Sequence, residues 1–243
     1  MLWSSVAIAQ NVIKKCKTCG KPIAQCRYKG RHVATSAATP LPHQKKINIQ
    51  ATKIVDLGLP SGTKWAGWNL GACSPEQFGN YYSWGETSSA FPDEDAVNQN
   101  YKYKDNHLKI LNIAGTQYDA ATASWGNRWR MPTERQIDEL RNKCRWKWMS
   151  YRGIIGYAVT GPNGKSIFLP ACHGEYGKLK NVGTDGYYWY ADVNLPPNKV
   201  SYDFAFYLVF LKGVVNACGT SIACAYSIRP VYQYCVKLIF NRL

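Results

Sequence analysis

The first 55 residues contain no aspartate or glutamate, and the first carboxylate is Asp56. Ten Lys and Arg side chains fall in that stretch, whereas residues 56–243 hold 20 basic and 15 acidic side chains, a net of only +5. The +15 of the chain therefore sits mainly in an N-terminal arm, and the mildly basic main domain gives no nucleic-acid signal of its own. No apolar run reaches the roughly 18 residues of a membrane-spanning helix. Histidine is scarce, at four residues. His43 reads as a solvated linker residue, His107 and His173 as loop residues, and Glu175 near His173 as a surface pair. There is no Gly-rich phosphate loop, nucleophile elbow or HExxH motif, and no cluster of acids and amides suited to calcium. An enzymatic role is not expected.

A second absence is local. From Gly213 to Val231 there is no Lys, Glu, Gln, Met or Trp, although these five types supply 47 of the 243 residues. The stretch lies within the chain's most unusual segment, residues 200–231. That segment begins as an alternating aromatic strand and closes on Ser227-Ile228-Arg229-Pro230-Val231. Between these runs Asn216-Ala217-Cys218-Gly219-Thr220-Ser221-Ile222-Ala223-Cys224-Ala225, small residues with no evident packing period.

What is present points to a folded, aromatic-rich domain with a small appendage: 46% apolar residues, 17 Tyr and 9 Trp. Residues 1–9 (MLWSSVAIA) end in the small-x-small pattern of a signal peptide without a positive start, so the true start is expected upstream of Met1. A frayed terminus is the competing reading. Residues 10–33 carry Cys16, Cys19 and Cys26 with His32, a Cys3His set suited to one structural zinc. Disulfides are the alternative in an exported protein, although three thiols cannot all pair internally. With too few apolar residues for a core, this arm is expected to fold only with metal. Residues 34–53 read as a linker rich in Ala, Thr, Ser and Pro.

The main domain, residues 54–235, starts with a strand, a Pro-Ser-Gly turn and a second strand over Ile54–Trp65. Ser74-Pro75-Glu76-Gln77 has the form of a helix start, and Tyr81–Glu86 of an aromatic strand. A short helical turn is expected over Asp119–Trp125. Thr133 and Gln136 form a capping box ahead of a helix to Cys144, with Ile137, Leu140 and Cys144 on one face. Further strands are expected at Trp146–Trp148 and at Asp185–Tyr190. A hairpin is expected around Gly161–Gly164, with closing strands at Asp203–Leu211 and Gly213–Asn216. Two short helices followed by many short strands give an α+β domain.

The stretches VDLGLPSGTKWA, SPEQFGNYYSWGE, WRMPTERQIDEL, GYAVTGPNGKSIFLPA, DGYYWYAD and SIRPV, in this order, resemble the Fibrobacter succinogenes major paralogous domain, abundant in gut Bacteroidetes. The resemblance covers about residues 54–233 and implies a C-type-lectin-like fold of the formylglycine-generating-enzyme branch. Two departures stand out: Ile137 where the family carries Trp, and Trp68 where many relatives carry Cys. Oxidase relatives hold a Cys pair well upstream of the final Arg motif. Cys218 and Cys224 stand too close to Arg229 for that role, so the oxidase reading is kept only as an alternative. The pairing of Cys73, Cys144, Cys172, Cys218, Cys224 and Cys235 stays open.

The family includes variable proteins of diversity-generating retroelements, whose C-terminal segment is rewritten at template adenines. Asn codons of the form AAC then become codons for fifteen residue types, and the five excluded types are those missing from Gly213 to Val231. The resemblance thus implies an exported or cell-surface binding protein. Its ligand-contacting residues would be Tyr202, Phe204, Val214, Asn216, Cys218, Gly219, Thr220, Ser221, Ala223, Cys224 and Tyr226. Its partner would be a protein or glycan. An undiversified paralogue, a carbohydrate-binding module and a nucleic-acid-binding arm are the other readings.

Overall fold

The structure, a computed structural model, describes residues 47–89, 110–175, 178–193 and 204–233. All of these belong to the second of the chain's two units, Ala34–Leu243. The arm with Cys16, Cys19, Cys26 and His32, together with Tyr202, His107 and Cys235, lies outside the described residues.

The described residues form an α+β domain of short, mainly antiparallel strands with two helices. One sheet runs β1 (Asn48–Ile49), β7 (Lys165–Pro170), β6 (Ile154–Thr160), β5 (Arg145–Tyr151). A second runs β2 (Ile54–Asp56), β3 (Lys64–Ala66), β13 (Val231–Tyr232), β4 (Trp129–Arg130). A third, which carries the closing stretch, runs β10 (Asp185–Trp189), β11 (Phe204–Leu211), β12 (Val214–Ser221). β8 (His173–Glu175) and β9 (Lys178–Lys180) pair on their own. The β1–β7 pair alone among these is parallel.

Helix α1 (Ala120–Trp125) starts at Asp119, whose buried carboxylate accepts from the amides of Ala121 and Thr122. The same carboxylate accepts from Gly115 and Met131, so four backbone donors satisfy a charge that burial alone would penalise. Helix α2 (Glu134–Lys143) carries the expected capping box at Thr133 and Gln136, and Ile137 and Leu140 are buried. Its apolar face meets Val55, Trp65, Tyr157, Leu169, Tyr188, Leu208 and Phe210 in the larger core. A second core gathers Trp84, Met131, Trp189, Ala205, Ile222 and Ile228. The third sheet lies between them, with Leu208 and Phe210 in one core and Ala205 and Trp189 in the other.

Three expectations are corrected. Ser74–Gln77 is a turn closed by the Gln77 amide on Ser74 O, not a helix start, because the Gln77 side chain turns back to accept from Cys73 N. Tyr81–Glu86 is no strand: Tyr82 makes an isolated bridge to Tyr226, and Gly85 then adopts φ 83° and turns the chain. The last strand does not stop at Asn216 but runs to Ser221, because its small residues pair one for one with the bulky residues of β11.

Candidate functional face

The phase of the third sheet follows from one bond. Tyr190 N donates to Phe206 O, so Phe206, Leu208 and Phe210 aim their backbone groups at β10. Residues 205, 207, 209 and 211 therefore bond β12 through residues 220, 218, 216 and 214. Register also sorts the side chains, since paired residues share a face. Cys218 lies with Tyr207, and Thr220 with Ala205; Gly219 lies with Phe206, and Ser221 with Phe204.

On the Tyr207 face four aromatic rings meet. Tyr187 and Tyr226 stack at 5.1 Å, Tyr207 lies 4.8 Å from Tyr226 and 5.3 Å from Tyr187, and Trp189 sits 4.6 Å from Tyr226. Trp189 is fully buried, while Tyr187 and Tyr207 are half-buried. Thr220 Oγ1 lies 3.5 Å from Cys224 Sγ at the rim of this cluster. Burial, with Cys218, Tyr187 and Cys224 adding to it, pushes the Tyr207 phenol up to about 12. Burial pushes Tyr226 higher still, with Cys224 and Tyr207 adding to it. Both phenols are therefore neutral at physiological pH, able to donate and accept hydrogen bonds but unsuited to act as bases. No charged side chain belongs to this cluster. It can stack on a ligand and hydrogen-bond it, and it offers no proton-transfer pair.

The sequence-derived residues divide into distinct settings. Val214 and Asn216 are exposed, and Asn216 Oδ1 accepts from Ala217 N and from Arg141 Nη2 at 3.4 Å. Cys218, Thr220 and Cys224 are half-buried beside the tyrosines. Ser221 is exposed and its Oγ accepts from Ala223 N, while half-buried Ala223 receives the Ser83 hydroxyl on its carbonyl. Phe204 is 36% exposed and meets Phe206 edge-on at 6.2 Å on the opposite face. Gly219 lies beneath the Phe204 ring, where a β-carbon would strike it, so it serves packing on that face. Tyr226 is 8% exposed and joins the cluster from below.

Tyr187 and Tyr207 escaped the sequence reading. Their signal is the alternation in Asp185–Tyr190 and in Phe204–Leu211, which puts both on the face opposite Tyr188 and Leu208. Among the described residues Cys144, Cys218 and Cys224 are free thiols. Among the described residues no three His, Cys, Asp or Glu side chains gather where a metal could be held, and no helix is long and apolar enough to cross a membrane. No family model matches this chain, and neither a curated protein nor a solved structure matches it.

Proposed function

We propose that this domain is a C-type-lectin-like scaffold of the Fibrobacter succinogenes major paralogous type that binds a ligand non-covalently, without enzymatic chemistry. Its working face is the closing stretch, and its setting is the cell exterior. One observation carries the reading. In the closing stretch Leu208 and Phe210 at one end and Ile222, Ala225, Ile228 and Arg229 at the other are buried, while Val214, Asn216, Cys218, Thr220, Ala223 and Cys224 stay half-buried or exposed on the strand and turn. A rigid two-ended anchor lets the intervening side chains change while the core keeps its packing. Tyr187, Tyr207 and Tyr226 add aromatic contacts of low conformational cost, and the neutrality of the cluster favours an uncharged region of a protein or glycan surface.

Two measurements test this. The five residue types missing from Gly213 to Val231 point to a diversified segment. The neighbouring DNA should then hold a near-copy of the codons for 200–231, differing at adenines, beside a reverse transcriptase. Separately, a library randomised at 214, 216, 218, 220, 223 and 224 among AAC-reachable residues should consist mostly of folded proteins that differ in their ligands. A library that is mostly unfolded sinks the display reading.

The arm of residues 10–33 would hold one zinc through Cys16, Cys19, Cys26 and His32 in a closed, structural site. Elemental analysis of the native, reduced protein should find one zinc per chain, and finding none removes the proposal.

A further inference from the structure

The third sheet has two edges, and they are treated differently. On the β10 side, Trp189 N donates to Ser227 O and Ser227 N to Tyr187 O, so a neighbouring segment already covers part of that edge. On the β12 side the outward groups belong to Val215, Ala217, Gly219 and Ser221, because residues 214, 216, 218 and 220 bond β11. Cys224 N reaches Ser221 O, and Asn216 Oδ1 covers Ala217 N. The N–H and C=O of Val215 and Gly219, the C=O of Ala217 and the N–H of Ser221 have no partner among the described residues.

This edge also lacks the usual protection. Val214–Ser221 spans eight residues without a charge, a proline or a bulge. In the two larger sheets and on the far side of this one, the edge strands of three or more residues each carry a charge: Asp56 on β2, Arg145 and Lys147 on β5, Asp185 on β10. An alternating row of amide donors and acceptors is complementary to one thing, another extended polypeptide backbone.

We infer that two copies of this chain pair antiparallel through β12 to make a continuous six-stranded sheet with its two-fold axis at Cys218. Several features select a second copy as the occupant. Side chains must match faces across the axis, and the four outward residues must form the bonded pairs. A centre at Cys218 satisfies both and uses the whole row: Val215 bonds Ser221 of the second copy, and Ala217 bonds Gly219 of the second copy. Asn216 swings off the Ala217 amide to permit this. The new side-chain neighbours are Asn216 beside Thr220 and Cys218 beside Cys218 on one face, and Val215 beside Ser221 and Ala217 beside Gly219 on the other, all uncharged. Lys212, the sole charge on the β11–β12 hairpin, sits at its tip, so antiparallel pairing places the two lysines at opposite ends. Two Tyr187–Tyr207–Tyr226 clusters then come to share one sheet. The pairing does not depend on the ligand-binding reading and is measured without any ligand.

The geometry makes a sharp demand. Cys218 directs its backbone to β11, so across the axis it forms a non-hydrogen-bonded pair with its copy, Cα atoms about 4.5 Å apart. That lies inside the range of about 4.4–6.8 Å that a disulfide spans. The test uses the full-length, reduced protein in sedimentation velocity from about 1 to 100 µM, the range in which a pairing of modest affinity appears. The sample is then treated with diamide, an azo compound that takes two protons and two electrons from two thiols and becomes a hydrazine. A concentration-dependent dimer is expected, and peptide mapping should find Cys218 joined to Cys218. Asn216→Lys should weaken the dimer at least about tenfold, since a lysine blunts a strand edge. An equal mixture of N216K and T220E should restore pairing, because the introduced charges face each other in this register alone. A monomer at every concentration overturns the proposal. So does a dimer indifferent to N216K, or one whose oxidation joins other cysteines and never Cys218; the wild-type mapping decides this even if a variant folds poorly.

Discussion

Arg229 donates its Nε–H to Asn69 Oδ1 at 2.9 Å, and both side chains are sealed from solvent. Its other nitrogens donate to Ala66 O at 3.1 Å and Phe168 O at 2.7 Å, so one cation joins β3 to β7. No described carboxylate pairs with it; three neutral acceptors carry the charge. Burial brings its pKa down to about 10, and it stays protonated at neutral pH. Asn69→Ala should therefore cost about 2–3 kcal/mol, because it strands a buried cationic donor. Arg229→Lys should cost at least about 1 kcal/mol, since one ammonium cannot span the three directions the planar fork serves. Urea midpoints read both. A loss under about 0.5 kcal/mol in either would show that this junction does not hold the closing stretch in place.

Two glycines of the third sheet give opposite expectations. A β-carbon on Gly186 meets the ring of Phe210, which is fully buried against Tyr157 and Tyr188 and cannot yield. Gly186→Ala should cost about 1–3 kcal/mol. A β-carbon on Gly219 meets Phe204, which is 36% exposed and free to swing outward. Gly219→Ala should cost less than about 1 kcal/mol and move Phe204, visible as a changed aromatic chemical shift. Equal losses would mean that Phe204 is as fixed as Phe210.

Much of this domain is legible locally. Thr133 and Gln136 mark α2 because a capping box is a contact between near neighbours, and the Gly161–Gly164 turn marks the β6–β7 hairpin for the same reason. The failures are non-local. Ser74 and Pro75 look like a helix start, but Gln77 prefers to bond Cys73 and closes a turn. Val214–Ser221 shows no period of its own, since its strand character comes from the eight residues of β11 opposite it. The tyrosine cluster needs three segments, β10, β11 and the turn before Tyr226, and no one of them announces it. The missing residue types of Gly213–Val231 mark a segment, while the sheet register decides which of its side chains share a face.

The thiols should divide by burial. Burial pushes Cys144 up to about 12, with Glu139 adding to it, and Cys172 up to about 11. At pH 7.5 both hold almost no thiolate, the reactive form. Iodoacetamide should modify Cys218 and Cys224 in the native protein while Cys144 and Cys172 react only after unfolding. Mass mapping over a labelling time course checks the order, and early labelling of Cys172 would contradict its placement.

Asp192 predicts a pH dependence. Burial raises its carboxyl above 3.8, against the Glu134 amide and the Asn112 side chain, which lower it. The folded state therefore keeps this proton at pH values where the unfolded chain has released it. Stability from this group is greatest below the unfolded value and falls as pH rises through the folded one. Asp192→Asn keeps an acceptor for Glu134 N and removes the titration. The variant should lose a declining component of the urea midpoint that wild type shows as pH climbs from 3.8 upward. Parallel profiles for the two proteins would refute the shift.

Side chains of the display face should be separable from the fold that holds them. Ile222 is 2% exposed in the second core, and Trp84 N bonds its carbonyl, so Ile222→Ala should cost about 2–4 kcal/mol. Thr220 and Ser221 precede it by two and one residues, yet the bonds their hydroxyls make are weak, among them a 3.5 Å contact to Cys224 Sγ and a 3.3 Å bond from Ala223 N. Thr220→Ala and Ser221→Ala should stay within about 0.5 kcal/mol of wild type, as should Asn216→Ser, which gives up two exposed bonds, from Arg141 at 3.4 Å and from Ala217 N at 2.9 Å. A thermal or urea series over these four variants measures the contrast directly. If Thr220 or Ser221 costs as much as Ile222, the strand is held by its side chains rather than by its register with β11, and it could not serve as a replaceable binding surface.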